Sequence, residues 1–447
     1  MKSPLLSITF LLAGLLNLPV QAQTGPLEAY VQDGLQNNLT IRQQQFNLQK
    51  ALLSLDEAKS LFLPSVNLGA SYTTSAGGRR IAIPVGDLLN PVYRTLNQLA
   101  QTDRFPTIEN VSEQFFPKNF YDARFRVTQP LVNAEIYYNR RIRQEQITLQ
   151  RAELNVFKRE LVKDIKTAYF TYLKAAEAIR VYQNTRTLLL ESQRVNQALV
   201  NNQMANPTVL IRSKNELGKM DAEITQAENN RRNAGAYFNF LLNKDLDTPI
   251  GVDSTFRKLQ LDEIPTGTRE ELDKLKSAVR VNQTVLKLNQ SFRIPRLGAQ
   301  LDLGSQATNW NFNDDTRYAL LGISLDIPIY AGNRNNLKIR QTQTDLLQLQ
   351  TQTEQVEDQL RLQAFTTENS LLSARDVYGS RRLQTETAQR YYRDLFRRYK
   401  ENQATFIELL DAQTQITTAQ EQEIIALYDV WIRQAELERV RAGYVFN

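Results

Sequence analysis

The sequence contains no cysteine and no histidine. Without thiols it can form neither a disulfide nor a cysteine-ligated zinc site, and no lipid can be attached to an N-terminal cysteine. Without imidazoles it has no serine-histidine triad and lacks the commonest transition-metal ligand. No phosphate-cradling glycine loop is present, and the acidic residues that could act in pairs are scattered. The residue types therefore predict a protein that is not an enzyme and that holds no cofactor or metal.

An excess of charge of one sign is also missing. The chain has 54 Lys and Arg residues against 48 Asp and Glu residues, a net charge of +6 over 447 residues. The two signs are interleaved along helical segments, which is typical of solvated helix faces and not of a nucleic-acid surface. We therefore expect no nucleic acid among the partners.

Long hydrophobic runs are absent beyond the N-terminus. There, a positive charge at Lys2 precedes an apolar core from Leu5 to Val20 and a small-residue cleavage site that ends at Ala22. The core is shorter than the roughly 18 apolar residues of a spanning helix, so residues 1–22 are predicted to be a cleaved signal peptide. An exported chain without a transmembrane helix is periplasmic, secreted or an outer-membrane β-barrel.

The rest of the chain shows internal duplication. Residues 23–248 and 249–447 contain the same kinds of segment in the same order, which predicts two structural repeats. An ungapped offset of 199 residues relates several positions of the two long-helix regions. This offset pairs Leu173 with Leu372, Leu210 with Leu409, and Leu217 with Ile416. Outside it, Leu63-Pro64 opens the first alternating run of one half as Ile294-Pro295 does in the other.

Four short runs alternate between apolar and polar residues, as β-strands with two different faces do. In one of them Leu321, Ile323 and Leu325 alternate with Gly322 and Ser324. Such strands suit a half-buried sheet in a soluble protein, or a membrane barrel with lipid outside and water inside. The pattern leaves both open. The predicted strands lie near 64–74, 122–132, 295–305 and 317–329.

The segments between the strands are long helices with few helix breakers. The longest are predicted at 134–203 and 334–400, with return helices at 208–243 and 404–441, and shorter helices at about 27–60 and 270–292. At about 1.5 Å per residue, a helix of roughly 70 residues spans on the order of 100 Å, far more than a globular domain. In the first half, the return helix and the helix before the first strand together match the long helix in length. Each half is therefore predicted to be an antiparallel pair of rods with two strands at one end.

The segment from Tyr399 to Ala412 resembles the turn at the periplasmic tip of the TolC family of outer-membrane efflux proteins. It has the tyrosine, the threonine and the two acids three residues apart that recur in that turn. The element order of nearly the whole mature chain is also similar to that of the family. The resemblance implies a mainly α fold with a small β part. In the family, trimers form a 12-stranded outer-membrane β-barrel on a periplasmic α-helical barrel.

The same resemblance implies a functional site at the tip. Glu408 and Asp411 match the acidic ring at the tunnel constriction, and three subunits would place six carboxylates around an opening that favours cations. The residues alone leave another interpretation open, because two solvated acids near a helix start also complement the helix dipole. The positions implied for the periplasmic tip and adaptor contact are Gln203, Asn206, Pro207, Thr208, Tyr399, Asn402 and Thr405.

Three residues depart from the family pattern. Asn402 stands where glycine is usual, Ala404 where an arginine of the closing latch is found, and Val209 where its aspartate partner would be. A charged latch between these positions is therefore absent, and the residues that hold the tip closed are not indicated.

The connection at about 76–121 resembles the enlarged outer loop of some family members. Its apolar residues suit three roles: a cap over the external mouth, packing between subunits, or burial against the barrel rim. Loops at barrel mouths are often functional.

The resemblance implies a passive conduit in the outer membrane that extends into the periplasm. The expected partners are two further copies in a homotrimer, outer-membrane lipid, a periplasmic adaptor protein and an inner-membrane transporter. A periplasmic coiled-coil adaptor or structural protein is the alternative, since it would also show export and long helical hairpins. The two pairs of strands and the duplication favour the channel.

Overall fold

A computed structural model describes residues 25–116, 118–261 and 263–446. The predicted signal peptide, residues 1–22, lies outside the described residues. Helices dominate and strands are few, which confirms the predicted mainly α fold with a small β part. In chain order the elements are α1 (Pro26–Asn37), α2 (Leu39–Ser60), β1 (Ser65–Thr73), β2 (Arg80–Ile83), α3 (Val85–Ala100), β3 (Val111–Gln114), β4 (Phe120–Val132), α4 (Ala134–Asn201), α5 (Thr208–Leu241), α6 (Glu270–Gln290), β5 (Arg296–Thr308), β6 (Arg317–Asp326), α7 (Arg334–Lys400) and α8 (Phe406–Val440).

The chain divides into two compact units. A helical unit comprises the described part of Met1–Asn47 together with Arg151–Lys274 and Thr353–Asn447. A strand unit comprises Leu48–Gln150 and Leu275–Gln352 and contains all the described strands. Within the described residues, no helix has both the length and the apolar character that crossing a membrane requires.

The centre of the helical unit is built on α4. Four of its residues, Leu161, Ile165, Tyr169 and Leu173, follow one another at four-residue spacing and are at most 3% exposed. This spacing places them along one face of the helix. The Tyr169 ring packs 5.5 Å from the ring of Phe238 on α5.

The helix predicted at about 27–60 is interrupted, so its prediction as a single element was wrong. Asn38 has an extended backbone and separates α1 from α2. Its side-chain oxygen accepts hydrogen bonds from the N–H groups of Thr40 (2.9 Å) and Ile41 (3.2 Å), and its amide donates to the Leu241 carbonyl (2.9 Å). Asn38 therefore caps the start of α2, which offsets the loss of helical hydrogen bonds at the break.

The strand unit contains a four-stranded antiparallel sheet in the order β1-β4-β5-β6. Strands β1 and β6 each have one described neighbour and form the two edges of this sheet. At one end of the sheet β1, β4, β5 and β6 connect to α2, α4, α6 and α7, and the other end carries the β1–β4 and β5–β6 connections.

One face of the sheet is apolar and exposed. It carries Leu68 and Phe125, which are paired in register, and further along Leu321 and Ile323, and these side chains are 54–72% exposed. No described element covers them. A half-buried sheet in a soluble protein would have covered this face, whereas a membrane barrel presents it to lipid. Of the two interpretations of the alternating strands, the structure favours the barrel.

The opposite face of the sheet is polar and charged. Arg126 makes a bidentate ion pair with Asp302, with two N···O distances of 2.8 Å, and Gln300 donates to the same carboxylate at 2.9 Å. On the same face Tyr318 donates to Asp122 at 3.0 Å. These groups satisfy one another's hydrogen bonds and suit a water-filled lumen.

The connection at 76–121, expected to be a long loop, contains regular structure. Strands β2 and β3 pair antiparallel in a separate two-stranded sheet, and α3 lies between them in the chain. Pro91 lies inside α3. We refer to residues 74–119 as the insert.

Candidate functional site at the helical tips

Two helical hairpins, α4–α5 and α7–α8, end in turns of the same design. Gln203 and Asn402 occupy the same position in the two turns and both have left-handed backbone, with φ of 59° and 58°. Behind each, a hydrogen bond closes the end of the helix: Met204 N–H donates to the Leu199 carbonyl at 2.8 Å, and Gln403 N–H donates to the Arg398 carbonyl at 2.9 Å. This left-handed cap usually carries glycine, and asparagine is the residue that replaces it at lowest cost. The departure at Asn402 therefore leaves the turn intact.

An apolar cluster joins the two hairpins near these turns. Val209 and Ala404, which occupy the positions of the missing charged latch, pack against this cluster as half-buried residues. Half-buried apolar side chains thus occupy the two positions at which the family pattern has an ion pair. The buried members of the cluster are Leu199, Tyr392, Leu395, Tyr399, Phe406, Leu409, Ala412 and Ile416.

A chain of hydrogen bonds crosses the same region. The Tyr399 hydroxyl on α7 donates to the side-chain oxygen of Asn196 on α4. The Asn196 amide donates to the Ser213 hydroxyl on α5 at 2.7 Å, and Ser213 donates to the Val209 carbonyl at 2.8 Å. The three side chains are at most 4% exposed, and burial raises the pKa of the Tyr399 hydroxyl. This polar relay ties the α7 helix to both helices of the other hairpin.

Replacing Tyr399 by phenylalanine is expected to destabilise the packing of the tip by about 1–3 kcal/mol, because the buried Asn196 oxygen loses its donor. The ring and its apolar contacts remain in this variant. In urea titrations, the variant should unfold at a lower denaturant concentration than the unchanged protein. Tyr391→Phe is the control, since Tyr391 lies on the same helix and is 43% exposed. Equal free energies of unfolding for Tyr399→Phe and Tyr391→Phe would show that the relay does not stabilise the tip.

The two predicted ring acids lie at the start of α8. Thr405 caps this helix, and Glu408 closes a capping box in which its carboxylate accepts from the Thr405 N–H (2.7 Å) and hydroxyl (2.9 Å). These bonds lower the pKa of Glu408. Asp411 accepts from the Gln415 amide at 2.7 Å. Both acids are exposed, three residues apart, on one helix face. Glu408 thus stabilises the start of α8. Because its side chain is also exposed, it remains available to contribute to a ring of carboxylates.

The residues predicted for the tip and the adaptor contact fall into two groups. Gln203, Asn206, Pro207, Thr208, Asn402 and Thr405 are exposed in or beside the turns, and the Asn206 side chain accepts from the Thr208 N–H at 3.0 Å. Tyr399 is 4% exposed and cannot contact an adaptor in this conformation. We therefore reassign it to the polar relay inside the tip.

The sequence reasoning missed Asn196 and Ser213. The signal that could have found them is a polar residue on a buried helix face: Ser192, Asn196 and Leu199 share one face of α4 and are all buried. It also missed the exposed apolar residues beside the turns, Met204, Ile211 and Ile407, which are 54–71% exposed.

No group of three or more acidic residues in the described part of the chain is arranged to hold a metal ion. The tip offers hydrogen-bonded caps, an apolar cluster and exposed carboxylates.

The second half of the chain matches a known family. Residues 267–443 match the family model described as outer membrane efflux protein. No curated protein matches the chain by sequence.

Solved structures of outer-membrane channels share the fold over nearly the whole chain. The CmeC outer membrane channel of Campylobacter jejuni is 12% identical with a TM-score of 0.73, and the match covers 94% of this chain and 86% of that one. The open MtrE channel of Neisseria gonorrhoeae is 15% identical with a TM-score of 0.73, covering 94% and 89%. VceC of Vibrio cholerae is 12% identical with a TM-score of 0.71, covering 93% and 96%. The second half of the chain therefore resembles the outer membrane efflux protein family in sequence, and the described chain has the fold of these outer-membrane channels.

Proposed function

We propose that the chain is the channel subunit of a tripartite efflux or secretion system, a passive conduit across the periplasm and the outer membrane. The observation that carries this proposal is the four-stranded sheet, which has an uncovered apolar face, a charged opposite face and two open edges. A sheet of this kind is a segment of a membrane barrel.

The proposed assembly is a homotrimer. Strands β1 and β6 each leave one side without a described neighbour. Exposed edge strands are aggregation-prone, and barrel closure removes them. Three copies that join β1 of one to β6 of the next would close a barrel of 12 strands, with the apolar faces against outer-membrane lipid and the Arg126–Asp302 pairs inside.

Fractionation separates this proposal from the rival, a periplasmic coiled-coil adaptor or structural protein. The channel should be recovered from outer membranes only with detergent, because its sheet exposes an apolar face. The rival would appear in the soluble periplasmic fraction after osmotic shock. A chain found mainly in that soluble fraction would contradict the proposed channel.

Glu408 and Asp411 are proposed to form the acidic constriction of this channel. Trimer symmetry repeats both carboxylates three times around the axis, and rings of carboxylates select cations. Both acids are exposed at the start of α8, which supports a role that faces the tunnel.

The double variant Glu408→Gln with Asp411→Asn should lose most of its preference for cations over anions. Glutamine preserves the capping box, so the variant removes charge while it keeps the helix start. Reversal potentials in a salt gradient measure the preference. Glu401→Gln, a change at an exposed acid in the same turn, is the control. Unchanged cation preference in the double variant would refute the ring.

The exposed turns are the proposed docking surface for a periplasmic adaptor, which an inner-membrane transporter would accompany. They present Gln203, Asn206 and Thr405 beside the exposed apolar residues Met204 and Ile407. Opening requires the two hairpins to separate, so the apolar cluster and the polar relay oppose it. An adaptor can open the tip only if it binds the open packing more tightly than the closed one.

A further inference from the structure

The insert between β1 and β4 holds its helix by polar contacts. The Asn90 side chain exchanges two hydrogen bonds with the backbone of Ile108, both 2.9 Å. The Asn97 side chain does the same with Phe105, at 2.8 and 3.1 Å. Asn90 and Asn97 are seven residues apart and share one face of α3. One face of α3 therefore lies against the residues that follow it in the insert. On this face the side chains of two asparagines hydrogen-bond to the backbone.

The opposite face of α3 is apolar and exposed. Leu88, Val92, Leu96 and Leu99 follow at spacings of four, four and three, with exposures of 68, 51, 39 and 79%. At 3.6 residues per turn, this stripe lies on the far side of the helix from Asn90 and Asn97. An amphipathic helix usually turns its apolar side inward. Here, in contrast, the stripe is exposed on the surface of the insert.

The insert carries a second apolar surface on a different element. Ile81 and Ile83 lie on one face of β2, and Val111 of β3 is paired in register with Ile83. Their exposures are 45, 48 and 42%. Each copy of the chain therefore presents two unlike apolar surfaces, the α3 stripe and the β2–β3 face. A ring of three copies is built from head-to-tail contacts, which require two different surfaces on each copy.

The position of the insert also favours a second copy of the chain as its partner. It leaves the sheet directly after β1, an edge strand, at the end of the sheet away from the long helices. The hydroxyl of Tyr72, near the end of β1, donates to Asn119 at 2.9 Å and ties the base of the insert to this edge. The insert is thus continuous with the edge that the proposed trimer uses as its subunit interface.

We propose that the α3 stripe of one subunit packs on the β2–β3 face of its neighbour, so that three inserts form a ring at the outer end of the barrel. This inference rests on the proposed trimer. A lipid surface is the competing occupant. Helices that bind anionic lipid carry several Lys and Arg residues on their polar face. The only basic residue of α3, Arg94, donates to the Asn90 carbonyl at 3.4 Å, which favours the protein partner.

Site-specific photocrosslinking in the full-length protein tests this contact. A p-benzoylphenylalanine residue replaces Val92 on the stripe in one variant and Leu99 in a second. The control carries it at Gln98, which is exposed on the same helix but roughly a third of a turn from the stripe. After irradiation of outer membranes, both stripe variants should give covalent dimers and trimers on denaturing gels, several-fold above the control. The crosslinked peptide should contain β2 or β3 of the second copy.

The outcomes separate this inference from the proposed function. Intact trimers in detergent, with no more covalent dimer from the stripe variants than from Gln98, would overturn the contact alone. A lipid adduct on Val92 or Leu99 in place of a dimer would also overturn it and assign the stripe to the membrane. A chain that stays monomeric in detergent would overturn the proposed trimer and the ring with it.

Discussion

Leu321→Arg is expected to destabilise the membrane-inserted sheet by about 2–4 kcal/mol per subunit, the cost of a cationic side chain on the lipid face of a barrel near the bilayer midplane. Leu321 is central in β6 and 71% exposed on the apolar face. The same substitution at the next residue, Leu320, should change stability little. Leu320 lies on the polar face, where it pairs in register with Asp302.

This pair is a matched test because the two positions share residue type, strand and exposure class and differ in the face that they occupy. Urea titration of the protein in lipid vesicles measures the free energy of unfolding of both variants. Leu320→Arg should instead alter the ion selectivity of the conducting protein, since its guanidinium would enter the lumen beside Arg126 and Asp302. Equal losses of stability in both variants would mean that the apolar face does not meet lipid.

Replacing Glu270 is expected to cause a large loss of stability in the helical unit. This carboxylate makes a bidentate ion pair with Arg159, and both residues are less than 10% exposed. Arg159 also donates to the Tyr444 carbonyl at 3.0 Å. Glu270→Ala leaves a buried guanidinium without its counter-charge and is expected to cost about 3–5 kcal/mol.

Two controls show whether this loss is electrostatic. Asp358→Ala removes the partner of Arg361 in a pair whose side chains are 75–80% exposed, and it should cost at most about 1 kcal/mol. The double variant Arg159→Met with Glu270→Met removes both charges and should recover most of the lost stability. Thermal unfolding of the purified protein in detergent, followed by circular dichroism, measures all three. A double variant as unstable as Glu270→Ala would show that packing, and not charge, is what the single substitution damages.

The main helices and strands could be predicted from the sequence because the residue patterns that define them are local. Strand alternation at Leu321 to Leu325 and the absence of proline and glycine along α4 do not depend on the rest of the fold. The break at Asn38 was missed because its cap depends on Leu241, a residue far away in the chain. Helix α3 was missed because Pro91 disfavours a helix interior, while the asparagine pairing that holds α3 is visible only in three dimensions.

At the tip, too, the features that depend on neighbouring residues can be recognised in the sequence, and the contacts between helices cannot. Glu408 and Thr405 form a capping box whose residue pattern can be recognised in the sequence, and Val209 and Ala404 are residue types that form no charged latch. What replaces the latch could not be read, because Asn196, Ser213 and Tyr399 come together from three helices. The contacts that the ring acids and the insert would make lie between subunits, and the sequence of one chain shows no partner for them.

Conductance of the purified protein in planar lipid bilayers tests the central claim most directly. A trimeric conduit predicts stepwise current increases as single channels insert, with a preference for cations and no need for an energy source. Protein that is extracted from outer membranes, is folded by circular dichroism and produces no channels at any voltage or concentration would contradict the account.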